Sequence, residues 1–356
     1  MDCKKTVFVT GGAGFIGSHT VTELLLANYH VVVVDNFVNA VSGKSGEAPS
    51  LKRAEEITGK KVTFYHCDLL DKDALGRIFR KHKVDYVVHF AAMKAVGESM
   101  AKPLFYYKNN VVSTINLLEV MCENGVYNMV FSSSCVVYGK PQYLPIDEAH
   151  PTGNVINVYG RTKYTIEQIL EDMCKAEKKW NIISLRYFNP VGAHSSGLIG
   201  EDPTRAFTNL MPYIGEVAAG KQNELVIFGG DYDTPDGTGV RDYIHVMDLA
   251  SGHVAAIKKL TENPRYKVYN LGTGRGFTVL QLVKAFEKAC GKKIPYKIND
   301  RRLGDVSEIW GNCSLAEKEL EWKAKYGLDK MCEDFWRWQK MNPNGYRTID
   351  DDNIQK

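Results

Sequence analysis

The segment that most restricts how this chain can fold is Gly11-Gly12-Ala13-Gly14-Phe15-Ile16-Gly17. It follows a short β-branched run at 6–10. It opens a stretch at 17–27 whose apolar residues recur at helical spacing. A strand that turns through glycines into a helix brings backbone N–H groups and a helix N-terminus to one point. Missing side chains let that backbone approach a pyrophosphate, and the helix end favours its negative charge. Gly12-x-Gly14-x-x-Gly17 has the dinucleotide spacing, and Gly11, Gly14 and Gly17 fit a wider-spaced variant of it.

The pattern then repeats. Runs of strand length stand at 30–35, 62–68, 84–91, 128–134 and 182–189, and helical patterns at 74–81, 103–123 and 159–178 separate them. Alternation of this kind predicts an α/β fold: a Rossmann-type doubly wound parallel sheet covered on both faces. After Asn189 the texture changes. Stretches 192–200 and 229–239 are rich in turn residues, as binding loops are. With 356 residues, the chain is expected to pair a dinucleotide-binding domain (1–189) with a smaller α+β substrate domain (190–348). A strand near 268–271 is expected to return with 242–275 to the first domain. Residues 322–343 read as a helical region that ends in a frayed acidic tail, 349–356.

Asp35 ends the second strand, 18 residues after Gly17. A carboxylate there accepts hydrogen bonds from adenosine ribose hydroxyls and repels a 2′-phosphate. No arginine follows in the loop that begins at Asn36, so NAD is expected rather than NADP. A plain turn cap would also account for Asp35. Asp68-Leu69 and Phe90-Ala91-Ala92 end later strands and are placed to line the same ligand.

Composition excludes other classes of partner. A formal charge of +3, with no basic block, gives no reason to expect nucleic acid or a membrane surface. The longest apolar run, 31–34, is strand-sized, and no secretory apolar region stands at the N-terminus, so a cytoplasmic protein is expected. Eight scattered cysteines include no Cys-x-x-Cys pair, which predicts reduced thiols and no metal.

Tyr159-Gly160-Arg161-Thr162-Lys163 is a Tyr-x-x-x-Lys at the start of a predicted helix, a spacing that puts phenol and ammonium on one face. A free tyrosine, with a pKa of about 10, is a poor base at neutral pH. A neighbouring ammonium and a positive nicotinamide ring would both stabilise the phenolate. Tyrosine then becomes a usable base for a sugar hydroxyl. The run Ser132-Ser133-Ser134 closes the preceding strand, and a serine hydroxyl can relay that proton. A surface helix pair is the plain alternative for the tyrosine and lysine.

With these residues in place, the chain resembles the extended short-chain dehydrogenase/reductase family, and within it the nucleotide-sugar 4-epimerases, over nearly its whole length. The resemblance rests on GGAGFIGSH at 11–19, AVGES at 95–99, SSSCVVYG at 132–139, YFNP at 187–190, GTGVRDYIHV at 237–246 and NLG at 270–272. It implies interconversion of UDP-galactose and UDP-glucose through a transient 4-keto sugar, with tightly bound NAD. Tyr159 would be the base, Lys163 the residue that holds the cofactor ribose and lowers the phenol's pKa, and Ser134 the active-site serine.

The resemblance further implies cofactor contacts from Gly11, Gly12, Gly14, Phe15, Ile16, Gly17, Asp35, Asn36, Asp68, Leu69, Phe90, Ala91, Ala92, Ser132, Tyr187 and Phe188. Lys94 and Asn109 would contact both ligands or the cofactor, although Asn110 is an equal candidate for the asparagine's role. Asn189, Asn209 and Leu210 match substrate-contacting positions, and Val226, Ile227 and Phe228 the stretch along the uracil. Arg241 and Arg302 match the pair that holds the diphosphate, with Asp305 beside them. The residue chemistry agrees, because arginine binds phosphate oxygens in a bidentate fork. A homodimer through the helices near Pro103 and Tyr159 is implied as well.

The chain departs from that pattern in three places. Val136 replaces a common threonine, and Val158 replaces a proline before the tyrosine. Ile309 stands where a bulky aromatic in some members excludes N-acetylated sugars, so UDP-N-acetylgalactosamine becomes a candidate substrate. Rival readings remain. A dehydratase would carry an Asp-Glu pair where Ser134-Cys135 stands, and a decarboxylase is its near relative. A non-catalytic NAD-binding scaffold would not need Ser134, Tyr159 and Lys163. An alcohol dehydrogenase would not need the long loops and two arginines.

Overall fold

The computed structural model describes residues 4–202, 209–302 and 305–347. Its centre is a seven-stranded sheet built mainly from the first half of the chain. The elements run β1 (Thr6–Thr10), α1 (Phe15–Leu26), β2 (His30–Asp35), α2 (Pro49–Thr58), β3 (Thr63–His66), α3 (Lys72–Phe79) and β4 (Tyr86–His89). They continue with α4 (Val96–Ala101), α5 (Pro103–Tyr106), α6 (Ser113–Glu123), β5 (Asn128–Ser134), α7 (Val158–Ala176) and β6 (Asn181–Tyr187).

The second half contributes β7 (Asn189–Val191), α8 (Leu210–Ala218), β8 (Leu225–Phe228), β9 (Val240–Arg241), β10 (Tyr243–His245), α9 (Val246–Leu260) and β11 (Tyr266–Leu271). It ends with β12 (Phe277–Thr278), α10 (Val279–Cys290), β13 (Tyr296–Asn299), β14 (Glu308–Ile309), α11 (Ser314–Leu320) and α12 (Leu328–Met341). The tail at 349–356 lies outside the described residues.

The sheet order is β11-β6-β5-β4-β1-β2-β3, and every pairing is parallel. The chain therefore walks outward from β1 in one direction, then returns to β4 and walks the other way. The crevice at that reversal, outside the carboxyl ends of the strands, is where such sheets take ligands. Edge strand β11 arrives from the second half and pairs with β6 over all six of its residues, Tyr266 to Leu271.

Both faces of the sheet are buried, which explains the near-continuous valines of β1 and β2. Val7, Val9, Val31 and Val33 pack with Val21 and Leu24 of α1 and Leu249 and Ile257 of α9 on one side. Phe8, Val32, Val34 and Val87 pack with Phe79 of α3, Leu117 of α6 and Leu170 of α7 on the other. Each such side chain contributes about 1.5–3 kcal/mol of burial free energy. A separate core joins Met211 and Ile214 of α8, Ile227 of β8, Phe286 of α10 and Phe335 of α12.

One expectation needs correction. The helix expected at 103–123 is interrupted by a wider π-helical segment, Tyr107–Val112. Such bulges recur at functional sites because the extra residue re-aims its neighbours, and here they are Asn109 and Asn110. Beyond α12 the described chain continues to residue 347, and the expected tail is not among the described residues. Tyr346 is buried against Trp338, with ring centroids 4.8 Å apart, because Trp338 leaves an aromatic face on the inner side of α12 for it to cover.

Candidate active site

A cavity of about 500 Å³ opens along the carboxyl ends of the strands where their order reverses. Its floor is the glycine turn between β1 and α1. Gly11 has a φ of +69°, which glycine adopts at no steric cost, and a Cβ there would lie 2.7 Å from the Ala91 backbone nitrogen. A Cβ on Gly14 would meet only the Gly11 carbonyl, at 3.4 Å, so this residue leaves open space for a phosphate. A Cβ on Gly17 would lie 2.3 Å from the same carbonyl, so this glycine lets helix and turn touch. Gly12 does not border the cavity. Its Cβ would strike Val33 Cγ1 at 2.6 Å, so it serves the packing of β1 on β2.

Asp35 joins the two readings offered for it. One carboxylate oxygen accepts from the Ala13 N–H at 3.0 Å and the other from the Phe37 N–H at 2.9 Å. The side chain thus caps its turn and ties the glycine loop to β2. Each oxygen keeps a lone pair for a hydroxyl in the cavity it borders. Burial pushes this carboxyl upward and the backbone hydrogen bonds oppose that. Asn36 donates to Asp68 Oδ2 at 3.0 Å and accepts from the Val38 N–H. With Leu69, Phe90, Ala91 and Ala92, these residues line one part of the wall.

The two asparagines of the π segment separate cleanly. Asn110 is fully buried and committed. It donates to the Met93 carbonyl (3.0 Å) and to Thr162 Oγ1 (3.0 Å), and its Oδ1 accepts from the Met93 N–H (2.8 Å). Asn109 borders the cavity instead. The same wall carries Lys94, whose ammonium lies 3.0 Å from Glu201 Oε1.

The phenol, the ammonium and the serine meet at the next wall, with Phe15, Ile16, Ser132, Tyr187 and Phe188 nearby. Asn157 caps α7 by accepting from the Gly160 N–H at 2.8 Å, which sets Tyr159 and Lys163 in the first turns of that helix. Burial pushes the Tyr159 phenol up to about 12, and a hydrogen bond from Ser134 works against it. Among the protein's own groups, desolvation therefore wins. Lys163 is itself pushed down to about 7 by burial, with Glu167 opposing. That carboxylate is already engaged by Arg186 at 2.7 and 3.0 Å, which weakens its help.

The far wall comes from the second half of the chain: Asn189, Asn209, Leu210, Val226, Ile227, Phe228, Arg241, Arg302 and Asp305. Arg241 donates to Asp305 and to the Val240 carbonyl, so its fork is already oriented. The Arg302 guanidinium sits 4.1 Å from the Phe228 ring centroid. Val136 borders the cavity where a hydroxyl was expected to be missing. Ile309 does not border it. It turns into an apolar cluster with Cys135, Tyr138, Ile146 and Phe188, because β14 pairs with β9 and directs this side chain inward.

Sequence reasoning missed Gly200, Glu201, Asp202, Val41 and Tyr346, all of which line the cavity. The loop at 192–200 was legible as a binding loop, and Glu201 is one residue beyond it. A carboxylate that accepts from both Lys94 and Asn209 leaves no local pattern in a sequence.

Among the described residues no cluster of three or more potential ligands could hold a metal ion, and no helix is long and apolar enough to cross a membrane. Comparison with known proteins agrees with this geometry. A family model described as the NAD dependent epimerase/dehydratase family matches residues 7–272. The chain is similar to the UDP-glucose 4-epimerase of Bos taurus, 59% identical over 344 residues, 97% of this chain and 99% of that protein. Its likeness to the UDP-glucose 4-epimerase of Homo sapiens has the same identity and the same coverage. Among solved structures, UDP-glucose 4-epimerase from Bifidobacterium longum in complex with NAD+ and UDP superposes with a TM-score of 0.90. The two share 52% identity, over 96% of this chain and all of that one.

Proposed function

The chain belongs to the NAD dependent epimerase/dehydratase family, and on that footing we propose that it is an isomerase, an NAD-dependent UDP-glucose 4-epimerase that interconverts UDP-galactose and UDP-glucose. The observation that carries the reading is a single cavity that joins a glycine-turn dinucleotide floor, the Ser134–Tyr159–Lys163 set and the Arg241–Arg302 pair. NAD fits the floor: Gly14 leaves the space a phosphate needs, and Asp35 keeps acceptors for ribose hydroxyls. When bound, NAD supplies a reversible hydride acceptor and a positive ring.

Tyr159 takes the proton from the C4 hydroxyl as that carbon becomes a ketone, with Ser134 orienting the hydroxyl. Lys163, with the positive ring, favours the phenolate that burial opposes. Arg241 and Arg302 hold the diphosphate while the 4-keto hexose turns about its bond to that handle. When the carbon is reduced again from its other face, Tyr159 returns the proton to the C4 oxygen, which completes the inverted hydroxyl. Phe228, Val226 and Ile227 lie along the uracil, and Asn189, Asn209 and Leu210 face the sugar side. Residues 1–189, with the returning 242–275, act as the dinucleotide half, and 190–348 act as the nucleotide-sugar half.

Tolerance of the N-acetylated pair follows from Ile309. It is turned away from the cavity, so its bulk does not limit the sugar. A cytoplasmic homodimer completes the reading. Exposed Val96, Met100, Leu104, Phe105, Val112 and Ile115, across α4, α5, the π-helical segment and α6, supply an apolar face for a second copy.

The test is direct. Purified protein incubated with UDP-galactose and no added NAD should form UDP-glucose to equilibrium. Absence of product under those conditions, with or without added NAD, rejects the activity. Turnover of only the non-acetylated pair rejects the wider substrate range.

A further inference from the structure

The end of the described chain crosses back over the cavity. Asn342 donates to the Gly197 carbonyl at 2.8 Å, and the Tyr346 N–H donates to Asp202 Oδ2 at 2.7 Å. The Tyr346 hydroxyl donates to the Gly200 carbonyl and accepts from the Gly200 N–H, each at 3.1 Å. Segment 342–347 is thereby stitched along loop 195–202 at three points. Gly345 has a φ of +65°, and a Cβ there would lie 2.1 Å from Asp202 Oδ2, so the approach is close enough to require glycine.

Arg53, on α2 of the dinucleotide half, locks the stitch from the other side. One Nη1 donates to the Leu198 carbonyl (2.9 Å) and to Asn342 Oδ1 (2.6 Å). Its guanidinium stands 4.9 Å from the Tyr346 ring and 5.6 Å from the Trp338 ring. A half-buried cation packed on two adjoining aromatic rings and bonded to two oxygens is held more firmly than a surface ion pair.

What the clamp holds borders the site. Gly200, Glu201, Asp202 and Tyr346 all line the cavity, in company with Gly14, Phe15 and Val41. Glu201 Oε1 accepts from Lys94 (3.0 Å) and from Asn209 (2.9 Å), one residue on each side of the cavity. Fixing Gly200 through the Tyr346 hydroxyl therefore fixes the acceptor that spans it.

We propose that Arg53 and Tyr346 are positioning residues that keep the dinucleotide in residence, by clamping loop 195–202 and its Glu201–Lys94–Asn209 contacts over the cavity. The proposal rests on the reading that this cavity takes NAD. It explains how one end of the chain governs a ligand bound mainly by the other half. Loss of the clamp leaves the glycine floor, Asp35 and Tyr159 untouched, so it speeds release of the dinucleotide without abolishing the chemistry.

The experiment uses the full chain as wild type, Tyr346→Phe and Arg53→Ala. Bound dinucleotide is counted after gel filtration, and its release is followed by chase with a fluorescent NAD analogue. Thermal unfolding in saturating NAD and epimerisation with and without added NAD are measured in parallel. The variants should release the dinucleotide at least tenfold faster than wild type. Their activity without added NAD should fall at least fivefold, and added NAD should restore most of it. Tyr346→Phe removes one oxygen from an otherwise retained ring, so it carries the test if Arg53→Ala does not fold. Release as slow as wild type in Tyr346→Phe overturns the proposal, and so does a wild type that retains no dinucleotide. A wild type that holds NAD but leaves UDP-galactose unchanged rejects the epimerase reading, and the release rates still decide this one.

Discussion

The Lys163 ammonium donates a 2.6 Å hydrogen bond to the Ser132 carbonyl and stands 4.8 Å from the centroid of the Phe131 ring. Helix α7 thus delivers its lysine to the end of β5, at the wall of the cavity, in a place whose burial favours the neutral amine. Burial lowers this group from the ordinary lysine value to about 7. The sign follows from proton linkage. Between pH 7 and about 10 the unfolded chain holds a proton that the folded chain has released, so stability rises with pH through that window. Below pH 7 both states are charged and the cost of burying the charge is present in full. Lys163→Met removes the cost. Melting temperatures of dinucleotide-free wild type and Lys163→Met should therefore converge, or cross in favour of wild type, as pH rises from 7 to 9.5. A gap that widens against wild type over that interval contradicts the buried-amine account.

Tyr159→Phe keeps the ring and its packing against Met93, Tyr106 and Val158 while removing the only atom that exchanges the proton. General acid–base groups contribute roughly 10²–10⁴-fold. The variant should lose kcat by that factor, with affinity for UDP, measured by calorimetry, within about threefold, on the proposal that Arg241 and Arg302 carry the diphosphate. Loss of UDP binding in parallel with rate would assign the phenol to binding instead.

The strand–turn–helix grammar was legible because it is local: Gly11 needs a positive φ, and Gly14 and Gly17 need missing side chains, whatever surrounds them. The same holds for Tyr159 and Lys163, brought to one wall by helical spacing. Gly12 lies off the cavity wall, and its want of a side chain answers to Val33 on the neighbouring strand, a constraint no spacing rule encodes. Ile309 was assigned to the sugar pocket, yet the pairing of β14 with β9 turns it inward. Glu201 and Tyr346 were invisible for a related reason. Lys94 lies 107 residues from Glu201, and Gly200 lies 146 from Tyr346, beyond any pattern a single sequence displays.

Gly17→Ala tests the floor. The added methyl would sit 2.3 Å from the Gly11 carbonyl and 2.7 Å from Gly12 Cα, both backbone atoms that cannot swing aside. Forced overpacking of this kind costs about 1–3 kcal/mol. The glycine turn must also shift, and with it the N–H groups that would meet a pyrophosphate. The variant should melt several degrees lower and purify with far less bound dinucleotide. A variant with a full complement of NAD would show that the turn tolerates the displacement.

The adjacent asparagines of the π segment give opposite expectations from nearly the same chemistry. Asn110 satisfies both backbone groups of Met93 and the hydroxyl of Thr162 from a fully buried position. Asn110→Ala strands those partners away from water, at about 1–3 kcal/mol for a buried group left unpaired. Because three partners are exposed to that penalty, denaturant unfolding should show a loss of at least about 2 kcal/mol. Asn109 has one side-chain bond, to Asn110 Oδ1 at 3.1 Å, and otherwise faces the cavity. Asn109→Ala should therefore stay within about 1 kcal/mol of wild-type stability, since surface changes seldom cost more, while weakening dinucleotide retention. The reverse pattern, a stable Asn110→Ala with poor retention beside an unstable Asn109→Ala, would exchange the roles assigned to the two residues.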